Sequence, residues 1–149
     1  MLRAPGRTDG RSRQPLKGKK VYIAPMAEGS ARAFAACLRA LGIDAEPTPP
    51  SDQRTLALGA RYISGDECYP AKVTVGDSMK VLEAPGVDPS RVVFFMPTSG
   101  GPCRFGQYAP YLRQILDDSG YATTEVLSPT SADGYAGLGD GAQKFVRAA

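Results

Sequence analysis

The sequence predicts a three-layer α/β domain on a mainly parallel sheet of about four strands. Short apolar, β-favouring runs recur at residues 21–25, 43–46, 92–96 and 121–127. Between them lie stretches whose apolar residues repeat at helical spacing, with glycine or proline at the joints. Strands that alternate with helices pair in parallel, because each helix returns the chain to the edge it started from.

Val21-Tyr22-Ile23-Ala24-Pro25 is the first buried strand. Gly29-Ser30 opens a helix that faces inward through Phe34, Leu38 and Leu41 and stops at Gly42. Cys37, on the margin of that stripe, fits a buried structural thiol. Residues 43–46 form the next strand, closed by Pro47-Thr48-Pro49-Pro50. Ser51 or Asp52 caps a short helix through Leu56 and Leu58, whose end Gly59 weakens. A loop from Ser64 to Tyr69 leads to Pro70, well placed in the first turn of another helix. Ala71, Val75, Met79 and Leu82 then share one helical face.

Val92-Val93-Phe94-Phe95-Met96 is the clearest buried strand, being continuous, apolar and β-favouring. A Gly/Pro-rich loop over 97–106 precedes a helix with Tyr108, Leu112 and Ile115 on one side, ended by Gly120. Residues 121–127 complete the sheet, and residues 142–149 read as a terminal helix. The whole is a Rossmann-like domain over 20–149, preceded by a basic tail over 1–19 that is expected to be disordered.

Charge is unevenly placed. Residues 1–20 hold seven basic side chains and one acid, a charge of +6, which leaves −3 on residues 21–149. A basic tail suits nucleic acid, but no aromatic side chain is interleaved for base stacking and the acidic body repels phosphate, so nucleic acid is not the expected partner. No apolar run approaches the 18 residues or so of a membrane span, and the N-terminus lacks a secretory pattern, so the expected compartment is the cytoplasm. The chain has no His, which removes His-based acid–base catalysis, the Ser-His-Asp triad and His-ligated zinc.

Three cysteines remain, at 37, 68 and 103. Cys68 and Cys103 lie in polar or Gly/Pro-rich loops just before predicted helix N-termini, where backbone N–H groups and the helix dipole favour an anionic sulfur. Lys72 and Arg104 act in the same sense, and glycines on both sides of Cys103 let a bulky group approach the backbone. The loops fall at the sheet edge where α/β proteins bind ligands. Two thiolates do not complete a four-ligand site, and reactive or buried thiols stay open alternatives. Glu67 can move a proton or orient its loop. Tyr69, Phe105 and Tyr108 can shield a cofactor from water or simply fill core.

Ser64-Gly65-Asp66-Glu67-Cys68-Tyr69-Pro70-Ala71-Lys72, with Gly100-Gly101-Pro102-Cys103-Arg104-Phe105-Gly106-Gln107-Tyr108 after an apolar strand, resembles the 2-hydroxyacyl-CoA dehydratase superfamily. The resemblance is greatest to its acyl-CoA dehydratase activase-related (CoA-substrate-specific enzyme activase) branch and covers residues 20–149. It implies an oxygen-sensitive iron–sulfur cluster, 4Fe–4S-based, ligated by Cys68 and Cys103. It also implies electron transfer from an ATP-hydrolysing activator, an additional cysteine-bearing subunit, and reductive chemistry on an acyl-CoA. The chain carries no phosphate loop of the activator ATPase and no CoA-binding signature, so the resemblance implies a component of such a system rather than an enzyme active alone. From other classes, a cluster-free module binding CoA or a partner subunit and a thiol–disulfide redox protein are the alternatives.

Overall fold

The computed structural model describes residues 16–98 and 102–129. Four parallel strands, β1 (Lys20–Ile23), β2 (Ala45–Pro47), β3 (Val92–Phe95) and β4 (Glu125–Leu127), form one sheet in the order β2-β1-β3-β4. Helices α1 (Glu28–Ala40), α2 (Gln53–Tyr62), α3 (Tyr69–Leu82) and α4 (Tyr108–Asp118) cover its two faces. The expected three-layer, Rossmann-like architecture is therefore the one observed.

Strand residues alternate between two cores, as the two-residue period requires. Val21, Ile23 and Val93 face α1 and pack with Ala31, Ala35 and Leu38. Val92, Phe94 and Met96 face the opposite side, with Met79 and Leu82 of α3 and Leu112, Ile115 and Leu116 of α4. Both faces of the sheet are thus apolar, which explains why the run at 92–96 shows no polar alternation.

α2 and α3 lie against each other at unusually short range. A Cβ added at Gly76 would sit 2.0 Å from the Thr55 carbonyl oxygen, and one at Gly59 would sit 2.2 Å from that of Lys72. Contacts that ascend α2 while descending α3 make the pair antiparallel. Gly59 therefore does not weaken the end of its helix, as expected from sequence; it sits inside α2, where only hydrogen fits against α3. Asp52 caps α2 reciprocally: the Thr55 N–H donates to Asp52 Oδ1 at 3.0 Å, and the Asp52 N–H donates to Thr55 Oγ1 at 3.1 Å. Ser51 instead donates at 2.7 Å to Asp77, a buried α3 carboxylate that also accepts from Thr55 Oγ1 at 2.8 Å.

Other expectations shift for local reasons. Cys37 is exposed, not buried, because α1 turns inward through Ala31, Ala35 and Leu38, about a third of a turn away. The fourth strand begins at Glu125 rather than 121, since the backbone before it closes a turn: the Thr124 N–H donates to the Tyr121 carbonyl at 2.9 Å. The second strand begins at Ala45, because the Ile43 N–H is used by the Leu38 carbonyl at the end of α1. Residues 16–19, placed in the tail from sequence, are described, and Leu16 packs on the α1-side core. The rest of that tail and the expected helix at 142–149 lie outside the described residues. Among the described residues no helix is long and apolar enough to cross a membrane.

Gly76→Ala is expected to destabilise the protein by about 3 kcal/mol, because the new methyl meets fixed backbone. Gly29→Ala, in a helical position with open space around it, is expected to be neutral or to stabilise by about 0.5 kcal/mol. Urea unfolding midpoints of the two variants check the contrast.

Candidate functional site

Parallel strands joined by crossover helices gather the strand C-termini and the N-termini of α1, α3 and α4 at one edge of the sheet. Cys68 is the N-cap residue of α3, with Pro70 in the first turn behind it. Cys103 is the N-cap of a 3-10 turn, Arg104–Gln107, that runs directly into α4. Two thiols 35 positions apart in the chain thus stand at the starts of neighbouring helical segments, at the same edge.

Three contacts tie the two loops together. Cys68 Sγ and the Tyr108 hydroxyl are 2.8 Å apart in a hydrogen bond. The Tyr111 hydroxyl, one turn further along α4, donates to the Glu67 carboxylate. The Arg104 guanidinium donates to the Asp66 carbonyl at 2.9 Å. Residues 66, 67 and 68 are therefore each held by a side chain from the segment that starts at Cys103. Phe105 packs edge-on against Tyr108, with ring centroids 5.2 Å apart; Tyr108 belongs to the core, and Phe105 and Cys68 pack against it half-buried, while Cys103 is exposed.

Electrostatics follows from these contacts. The Tyr108 hydroxyl hydrogen bond holds the Cys68 thiol below its ordinary pKa, helped by the Ala71 backbone N–H and the Arg104 charge and opposed by burial. Tyr108 is pushed well above the phenol range by burial, by its bond to Cys68 and by negative charge at either Cys68 or Cys103. Glu67 is lowered to about 2, first by the Tyr111 hydroxyl and then by backbone and Ser64 donors. Its carboxylate accepts from the Gly65 N–H at 2.9 Å and from Ser64 Oγ at 3.0 Å. Gly65 has a φ of +104°, a conformation an L side chain resists, and it aims this N–H at Glu67. Held ionised in this way, Glu67 orients the loop and is a poor proton donor near neutral pH.

The remaining predicted residues divide clearly. Arg104, Phe105 and Tyr108 are at the thiols. Tyr69 is 63% exposed and covers nothing among the described residues. Lys72 lays its stem against Gly59 of α2, so the cation acting on Cys68 is Arg104. Cys37, on the exposed side of α1, is not part of the site. Sequence reasoning missed Tyr111; its signal was the three-residue spacing from Tyr108, which puts two hydroxyls on one helical face opposite Glu67-Cys68.

Among the described residues no three His, Cys, Asp or Glu side chains form a group that could hold a metal ion. Cys68 and Cys103 offer two soft sulfur donors. Comparison with protein-family models, with curated proteins and with solved structures found no match.

Tyr108→Phe removes the hydroxyl and is expected to raise the Cys68 thiol pKa. In a background with Cys37→Ser and Cys103→Ser, the pH profile of iodoacetamide alkylation is expected to move to higher pH. Glu67→Gln is expected to destabilise the protein at pH 7. Because the folded carboxyl is lowered from 4.5 to about 2, its stabilisation is complete above 4.5 and lost as the pH falls towards 2. Thermal midpoints of wild type and variant should therefore converge across that interval.

Proposed function

We propose that the chain is the iron–sulfur part of an electron-transfer or reductase system of the 2-hydroxyacyl-CoA dehydratase type, with Cys68 and Cys103 as two thiolate ligands of a 4Fe–4S-based cluster. The observation that carries this reading is that two cysteines stand at helix starts on the same sheet edge, Cys68 hydrogen-bonded to the Tyr108 hydroxyl and the Cys103 turn tied to the Cys68 loop by Arg104 on the Asp66 carbonyl. The resemblance of residues 64–72 and 100–108 to that superfamily supplies the finer part, including an acyl-CoA as the class of substrate. A bound cluster would supply one-electron transfer.

The chain's own residues hold and bias the sulfurs. Tyr108 donates to the Cys68 thiolate, and Arg104 sets a positive charge beside it. Hydrogen bonds to ligand sulfurs, local charge and low solvent exposure are the levers by which a protein sets a cluster's potential. Tyr108, buried, and Phe105, half-buried, shield the Cys68 side, whereas Cys103 is exposed. The missing ligands fall to another cysteine-bearing chain or region, and the electrons to an ATP-hydrolysing activator. On this reading the protein works in the reducing cytoplasm, as part of an assembly.

A second reading, thiol–disulfide exchange between Cys68 and Cys103, draws on the lowered pKa of Cys68, which favours the attacking thiolate.

Iron and acid-labile sulfide per chain after anaerobic reconstitution test the proposal. Wild type is expected to bind both, with loss in Cys68→Ala and in Cys103→Ala and retention in Cys37→Ala. Iron binding that survives both single substitutions contradicts the ligand assignment. A colourless protein, even with the candidate partner present, whose thiol count falls by two on mild oxidation replaces the proposal with the thiol reading.

A further inference from the structure

Beyond the ends of β1 and β2, a cavity of about 310 Å³ opens beside the first turn of α1. Pro25, Pro47 and Pro50 line it with rigid apolar rings, and Glu28, Arg32 and Thr48 add polar groups. Apolar walls with a few convergent polar groups are the usual make-up of a small-molecule site, and the volume falls at the lower end of their range. None of these six residues takes part in the thiol site.

Thr48 in this lining is unlike the other buried polar residues. It is 4% exposed, and its hydroxyl oxygen is buried without a hydrogen-bond partner. Among the described residues the other buried polar side chains, Thr55, Thr74, Asp77, Ser78 and Thr124, all have partners. The Thr48 N–H donates to the Ile23 carbonyl at 2.9 Å, directly after the Ile23–Pro47 pair of the β1–β2 ladder, so the sheet fixes its backbone here. A buried hydroxyl left unpaired is costly, and a ligand that pairs with it removes that cost. The groups around it favour an anion. Ala27 at the N-cap of α1 offers no side-chain acceptor, and the helical ladder starts with the Ala31 N–H on the Ala27 carbonyl at 3.0 Å. The N–H groups of Glu28, Gly29 and Ser30 precede that ladder, at the positive end of the helix. Arg32 meets Glu28 at 3.4 Å, with the two side chains 72% and 75% exposed, a pair that water weakens and a ligand can part.

We propose that this cavity binds the oxyanion of a small organic acid or phosphate ester, with the organic part of the ligand against the three prolines. Arg32 exchanges the Glu28 carboxylate for the ligand's oxygens. The N–H groups at the start of α1 donate to the same anion. Thr48, by a change of rotamer, gains the partner it lacks. Carboxylate and phosphate present the same kind of acceptor to these donors, so the donors suit either source. Glu28 opposes the anion, and its release from Arg32 is part of binding.

Amide NMR titration of the isotope-labelled full chain with phenyl phosphate and with benzoate tests this. At least one of them is expected to shift the amides of Glu28, Gly29 and Thr48 with a Kd of about 1 mM or below, and the tighter of the two identifies the source of the oxyanion. Arg32→Ala is expected to weaken binding about tenfold and Thr48→Val about fivefold. Glu28→Gln, which removes the competing carboxylate, is expected to tighten it about twofold. Thr48→Val is also expected to leave the urea midpoint of the free protein unchanged or higher, because it deletes an unpaired hydroxyl, so its weaker binding is not a folding defect. No shift at these amides with either probe at about 10 mM overturns the proposal. Shifts that survive Arg32→Ala and Thr48→Val at unchanged affinity overturn it as well, as does inorganic phosphate bound more tightly than both probes.

Discussion

A parallel sheet of three- and four-residue strands keeps neither face in water, and the rest of this structure follows from that constraint. Each strand must be followed by a helix that covers the sheet and returns the chain to the same edge. Every return deposits a helix N-terminus beside the strand C-termini, so polar backbone ends and loop residues gather at one rim while side chains fill two cores. The site is thus a by-product of how the cores are closed. Cys68 and Cys103 stand at the rim because they are the residues just before two of those returns.

Gathering is not registration. What fixes the two cysteine loops relative to each other is a set of contacts on successive residues, with Arg104 on the Asp66 carbonyl, Tyr111 on Glu67 and Tyr108 on Cys68. These contacts also set the chemistry. One hydroxyl lowers a thiol, another keeps a carboxylate ionised, and the aromatic rings that carry them are anchored in the core. Rigidity beneath a site of this kind comes from the same close packing that admits only glycine at residues 59 and 76, which holds α3 against α2. The thiol at the start of α3 therefore inherits its position from the packing of that helix against α2.

Much of the fold is legible along the chain. The run at 92–96 is long enough and apolar enough to be a doubly covered strand, and Pro70 and Asp52 mark helix starts by chemistry that acts within four residues. The misplacements share a cause. Cys37 turns outward because the inward face of α1 is chosen by small residues that let the helix approach the sheet, which a stripe of large side chains does not reveal. Gly59 reads as a helix breaker until α3 is placed against it. Residues 121–124 have strand composition, yet their backbone groups are taken by a turn and by Arg113.

Local composition and periodicity were enough to establish the layers, the parallel sheet and the two cysteine loops at its edge, because strand propensity, helical period and capping act over a few residues. The pairing of Tyr108 with Cys68 and of Tyr111 with Glu67, and the demotion of Tyr69, Lys72 and Cys37, were decided by tertiary structure. Each of those outcomes joins residues about forty positions apart, or depends on how far a helix rotates when it meets its neighbour. Packing sets that rotation, and no spacing within a single segment encodes it.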